Sequence, residues 1–149
     1  MPGFVITKQI AAPVETVFEV LTDHEGATAF TPGPVKFTLE KPGAPERNGL
    51  GAVRKISGAG PALREEVTRY EPSTGFSYSI ISGAPVKNHR GDVDLEERAG
   101  GTFMTYRIDF DAAAPLAPIL KGVMKVVVGQ LVTGIIKTSE ARAAGRTTA

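Results

Sequence analysis

The chain of 149 residues has no cysteine. Disulfide staples, thiolate nucleophiles and Cys-ligated metals are therefore excluded. Histidine is scarce: His24 and His89 are the only two, far apart and without carboxylates at ligand spacing, so no metal site is expected. Charge of one sign is also lacking, since 17 Lys and Arg face 16 Asp and Glu for a net +1. The basic residues are scattered, with no basic tract and no aromatic interleaving, which argues against nucleic acid as a partner. No glycine loop that would cradle a phosphate precedes a helix, and no serine sits in a nucleophile elbow, so no cofactor is expected. In the apolar C-terminal third the longest uncharged stretch is Val126–Ile136. That is short of the roughly 20 residues of a membrane span, and no integral membrane segment is expected. The start, Met1-Pro2-Gly3-Phe4, lacks a positive region followed by an apolar one, so the expected compartment is cytoplasmic.

What the chain does have is ordinary globular composition, 42% hydrophobic and 22% charged. A chain this long buries roughly 70% of its unfolded surface, enough for a core without staples. One domain over residues 1–143 is expected, followed by a disordered tail over 144–149.

Gly3–Ala11 reads as a first strand. Ala12-Pro13 opens a helix in which Val14, Val17, Phe18 and Leu21 form an amphipathic stripe. Asp23-His24-Glu25 begins a second short helix or turn that stops at Pro32-Gly33-Pro34. From Val35 the period changes to two, and six strands follow: near 35–39, 50–57, 63–71, 75–82, 86–98 and 102–110. The breaks between the later ones are short, at Gly58–Pro61, Pro72–Gly75, Gly83–Pro85 and Ala99–Gly101, so the sheet is antiparallel. From Leu116 to about Ala143 an apolar segment reads as one long helix, too long for a strand despite Val126-Val127-Val128. Its stripe is Leu116, Ile119, Leu120, Val123, Val127, Leu131 and Ile135. Gly122, Gly129 and Gly134 lie within it, each costing roughly 1 kcal/mol against alanine, which suggests that space there is being preserved.

Four motifs carry a resemblance across essentially the whole chain: Ile10–Phe18 at the strand-to-helix entry, Gly49-Leu50-Gly51-Ala52-Val53-Arg54, Glu65–Pro72, and Gly100–Thr105 at the last hairpin. In this order they resemble the START-like superfamily (SRPBCC, polyketide cyclase/dehydrase type). The resemblance implies an α+β helix-grip fold, START-like or Bet v 1-like. Such a fold has an antiparallel seven-stranded sheet wrapped around a long C-terminal helix, with two short helices between strands 1 and 2. It also implies members as different as lipid and hormone binders, cyclases and chaperone activators, so the fold does not settle the function.

Hairpin arithmetic assigns faces, because residues opposed across a ladder share a face. A tight turn at Gly58–Pro61 pairs Arg54 with Glu65 and Ile56 with Leu63. The next turns pair Val67 with Ile80, Ile80 with His89, Tyr78 with Gly91, Val93 with Tyr106 and Gly91 with Ile108. Arg54, Glu65, Val67, Tyr78, Ile80, His89, Val93, Tyr106 and Ile108 then lie on one face, under the long helix. Phe30 at a cavity mouth and Val123 and Val127 on the helix complete the expected ligand-binding set. Glu66, Thr68, Asp92, Asp94, Glu96 and Arg107 fall on the other face, toward solvent. Arg54–Glu65 is either a register pin or the group that orients a ligand's polar end. His89 is either a hydrogen-bonded wall residue or an acid/base group.

No constellation compels catalysis, and no catalytic residue is assigned. The leading expectation is a non-catalytic binder of a small hydrophobic or amphipathic molecule, lipid-, polyketide- or aromatic-like, in a cavity between sheet and helix. A polyketide cyclase, aromatase or dehydratase using the cavity Tyr, His and Arg groups is the alternative enzyme. A protein-interaction module of the chaperone-activator or ribosome-associated kind would instead expose an apolar patch, with Val126, Val128 and Val132 as its source. The expected assembly is a monomer or weak homodimer.

Overall fold

The structure is a computed structural model, and it describes residues 3–30, 34–58 and 61–148. The elements in order are β1 (Gly3–Ile10), α1 (Val14–Thr22), a 3-10 helix (Glu25–Phe30), β2 (Lys36–Lys41), β3 (Val53–Ser57), β4 (Leu63–Glu71), β5 (Gly75–Ser82), β6 (Lys87–Arg98), β7 (Gly101–Asp111) and α2 (Ala117–Thr148). The seven strands form one antiparallel sheet in the order β1-β7-β6-β5-β4-β3-β2. With the long helix α2 and the helices after β1, this is the helix-grip fold. The sequence stop at Pro32-Gly33 and the middle of the Gly58–Pro61 turn, Ala59-Gly60, lie outside the described residues.

The concave face holds the core. Val67, Phe76, Val93, Tyr106 and Ile108 from the sheet meet Val17, Phe18 and Leu21 of α1 and Val128, Val132 and Ile135 of α2. α1 is buried on more than its stripe, Thr16 and Val20 included, because it is held between sheet and α2. The opposite face of the sheet is polar: Asp94 and Glu96 are exposed, and Arg69 bridges Glu71 and Asp94.

Three hairpins follow the expected register, with Arg54 opposite Glu65, Tyr78 opposite Gly91 and Val93 opposite Tyr106. The β4–β5 hairpin does not. Glu71 pairs with Gly75, one residue tighter than the four-residue break suggests, and a bulge between Val67 and Arg69 then adds one residue. Val67 therefore faces Tyr78 and Glu65 faces Ile80, a shift of two from the expected partners. The two one-residue changes sum to an even number, so Glu65 and Val67 still share a face with Tyr78 and Ile80. On the turn side of the bulge the shift is odd, so Tyr70 turns to the core beside Phe76 and Arg69 to the outer face beside Ser77.

The long helix departs from the sequence reading in three ways. It continues through Thr148, past the end near Ala143 read from the sequence. Its inward stripe is rotated: Val128 and Val132, read as lying off the stripe, are core residues, whereas Leu116, Ile119 and Val123 of the stripe are exposed; Val126, also read as off it, is exposed as expected. The segment is apolar nearly all round, so periodicity leaves its rotation open and docking against α1 decides it. Third, the glycines do not guard the cavity. A Cβ on Gly122 or Gly129 would meet open space, while one on Gly134 would collide with Cβ and Cγ of Phe30. By length and composition α2 would also serve to cross a bilayer. In this fold its second half is docked instead on α1 and on the sheet entry, where Glu140 accepts the Ala11 N–H at 2.9 Å.

Candidate functional site

Between the sheet and the first half of α2 lies a cavity of about 300 Å³. Its floor is the alternating concave face of β2 to β7, and its roof is Leu120, Val123, Met124, Val127, Val128 and Leu131. Val123 and Val127 line it while remaining 56% and 41% exposed, so the cavity opens beside them.

Arg54, Glu65, Tyr78, Ile80, His89, Ile108, Val123 and Val127 of the expected set line this cavity. The other four do not. Val67 and Val93 are packed into the core away from it, and Tyr106 stands behind Tyr78 with its hydroxyl 2.6 Å from the Tyr78 hydroxyl. Phe30 lies against Gly134 and the small cluster of Ala27, Phe37 and Leu131, not at the mouth. Sequence reasoning missed Phe37, Ile56 and Leu63, although Ile56 and Leu63 share the face of Arg54 in the same hairpin arithmetic. Ala84, in the break between β5 and β6, also lines the cavity.

The walls are apolar apart from one polar end. There Arg54 Nε and Nη2 converge on Glu65 Oε1 at 2.7 and 2.6 Å, with both side chains less than a tenth exposed. The guanidinium lies over the Tyr78 ring, 4.5 Å from its centroid. The ring can lie there because residue 91 is glycine: a Cβ would sit 2.5 Å from Tyr78 Cζ. On its far side Arg54 Nη1 is 3.4 Å from His24 Nδ1. His24 Nε2 is 2.9 Å from the Asn48 carbonyl, a geometry that suits Nε2–H donating there and Nδ1 accepting from Arg54. By sequence His24 stands only among the charges of a helix end. Nothing local marks it as the second contact of a residue 30 positions away.

Burial is the main influence on the titrating groups. It works against the Arg54 charge, but Glu65 together with Tyr78 and Tyr106 more than offsets it, so the guanidinium is held charged. Burial, with Arg54 alongside, lowers His24 to about 4. Burial also lowers His89, with Glu65 opposing and Arg54 adding to the shift. The Tyr78 and Tyr106 hydroxyls are pushed up, again chiefly by burial. His89 stands on a bulged stretch of β6 where Asn88 has φ 53°, and its Nδ1 accepts the Ile80 N–H at 3.1 Å. The neutral ring therefore carries its proton on Nε2. Among the described residues no three His, Asp or Glu side chains converge as a metal ion would need.

A family model described as polyketide cyclase/dehydrase and lipid transport matches residues 1–145. No curated protein matches the chain in sequence. Among solved structures, Ara h 8.0201 has a TM-score of 0.71 at 17% identity, over 96% of this chain and 97% of its own. TTHA0849 from Thermus thermophilus reaches 0.75 at 16% identity, over 95% and 99%. The di-domain aromatase/cyclase StfQ of the steffimycin biosynthetic pathway reaches 0.74 at 14% identity, over 99% of this chain and 52% of that one. Identities this low speak for the fold alone.

Proposed function

Since the chain belongs to the polyketide cyclase/dehydrase and lipid transport family, we propose that it binds a small hydrophobic or amphipathic molecule in the cavity under α2 without transforming it. The observation that carries this is the wall itself: apolar residues from five strands and one helix around a single polar end, where Arg54 pairs with Glu65 and Tyr78 with Tyr106. At about 300 Å³ the space lies at the low end of small-molecule pockets, roughly 300–1,000 Å³. That suits a medium aliphatic chain or a compact ring system better than a full phospholipid. Release into water is unfavourable for such a guest, and the apolar walls supply the affinity.

Native mass spectrometry and solvent extraction of the purified protein test the reading. A copurifying or added apolar compound should bind at one copy per chain, and Ile80→Trp, which fills the cavity, should weaken it at least tenfold. A protein that takes up no apolar compound at all would overturn the proposal.

One observation favours a second reading, an enzyme of cyclase or dehydratase type. Neutral His89 and the Tyr78 ring stand side by side on the cavity wall, ring centroids 5.7 Å apart, with Arg54 on Tyr78. In that case His89→Gln abolishes turnover of a polyketide-like substrate while leaving its binding intact. An unchanged rate removes the enzyme reading.

A further inference from the structure

Resting on the binder reading, we propose that the polar end of the cavity selects an uncharged hydrogen-bond acceptor, such as a ketone or alcohol oxygen, over a carboxylate, and that Glu65 sets this choice.

Charge at this end cancels. Of the residues lining the cavity only Arg54, Glu65, Tyr78 and His89 titrate. Arg54 and Glu65 carry opposite charges in direct contact. Tyr78, hydrogen-bonded to Tyr106, and His89, accepting from Ile80, are neutral near pH 7, as is His24 behind Arg54. A carboxylate entering here would leave water for a site of zero net charge, with the Glu65 carboxylate beside it. A buried charge without a partner is strongly disfavoured.

Arg54 is already committed on three sides. Nε and Nη2 are directed at Glu65, Nη1 at His24, a further hydrogen bond reaches Tyr106, and the guanidinium plane lies on Tyr78, so its charge is answered within the wall. What remains on the wall is His89. With Nδ1 taken by the Ile80 N–H, its donor is Nε2–H, a neutral donor suited to a neutral oxygen. The discrimination thus combines one modest attraction with one strong exclusion, the repulsive half being Glu65. Without the Glu65 charge, Arg54 would be an uncompensated buried cation, and an anionic ligand would supply the missing counter-charge.

The test is displacement of the uncharged fluorophore N-phenyl-1-naphthylamine by 2-decanone, 1-decanol and decanoate at pH 7.5. On the wild-type protein the ketone and alcohol should displace it at concentrations at least tenfold lower than decanoate. Glu65→Gln should shrink or reverse that ratio. Arg54→Met/Glu65→Leu, which removes both charges and so tolerates burial better, should keep the neutral compounds ahead. Thermal melts confirm which variants are folded, and the wild-type series needs no variant. Decanoate binding as tightly as the ketone to wild-type protein would overturn the selectivity and leave the binder reading standing. No displacement by any of the three, with no fluorophore bound, would overturn both.

Discussion

Arg54 brings a full charge into a wall that excludes nearly all water, and Glu65 answers it at 2.6 Å. Attraction in such a place is offset by the cost of desolvating both partners, so the pair is weak support for stability. Removing one partner is a different matter, because a lone buried charge remains. Arg54→Met alone and Glu65→Leu alone should each cost about 3–5 kcal/mol in urea unfolding, whereas the double variant should cost less than either. Costs that add would mean that the two residues act separately. Gly91 belongs to the same neighbourhood. A Cβ there meets the Tyr78 ring, so Gly91→Ala should displace Tyr78 and lower the unfolding midpoint, while Gly100, whose Cβ would meet nothing within 4 Å, offers no such clash.

At the level of the element, α2 is two half-helices with different tasks. From Val128 onward it is held, through Val128, Val132 and Ile135, in the core shared with α1. Its first half spans the cavity, with Ile119 and Val126 more than 60% exposed. The glycines sort along the same division. Gly122→Ala and Gly129→Ala, with open space around the new methyl group, should each stabilise by about 0.5–1 kcal/mol. Gly134→Ala should destabilise, since Phe30 Cβ and Cγ, the stiff base of that side chain, stand where the methyl would go. Thermal melts of the three variants decide between this account and one in which all three glycines guard the cavity; the latter requires all three to behave alike.

Across the whole molecule, the buried histidines tie stability to pH. His24 titrates near 4 when folded and near its ordinary 6.5 when unfolded, so the unfolded chain binds the proton first as pH falls. Stability is therefore full above about pH 6.5 and drains away toward pH 4, at up to about 1.4 kcal/mol per pH unit. His89 is shifted in the same direction and adds to the loss. Urea midpoints at pH 7.5, 6 and 5 should fall in that order, and His24→Gln should flatten the slope; a midpoint that does not move down to pH 5 would contradict the buried, neutral state of His24.

The order of elements along the chain, the antiparallel hairpins from β3 to β7 and the division of the sheet into a wet and a dry face were legible in the sequence alone, whereas the place of β1 beside β7 was not. Period-two alternation and short hairpin breaks act over a few residues, so neighbours along the chain carry the information. Arg54 opposite Glu65 came from one such hairpin. Even with the misjudged β4–β5 register, Glu65 and Val67 kept their face, because the two one-residue changes beyond them add to an even number; only the residues nearest the turn changed sides. The rotation of α2, the placement of Phe30 on Gly134 and the contact of His24 with Arg54 were decided only by the tertiary structure. An almost uniformly apolar helix carries no preferred face of its own, and a contact between residues 30 positions apart has no local pattern to announce it. These orientations exist only once the sheet, α1 and α2 are packed together.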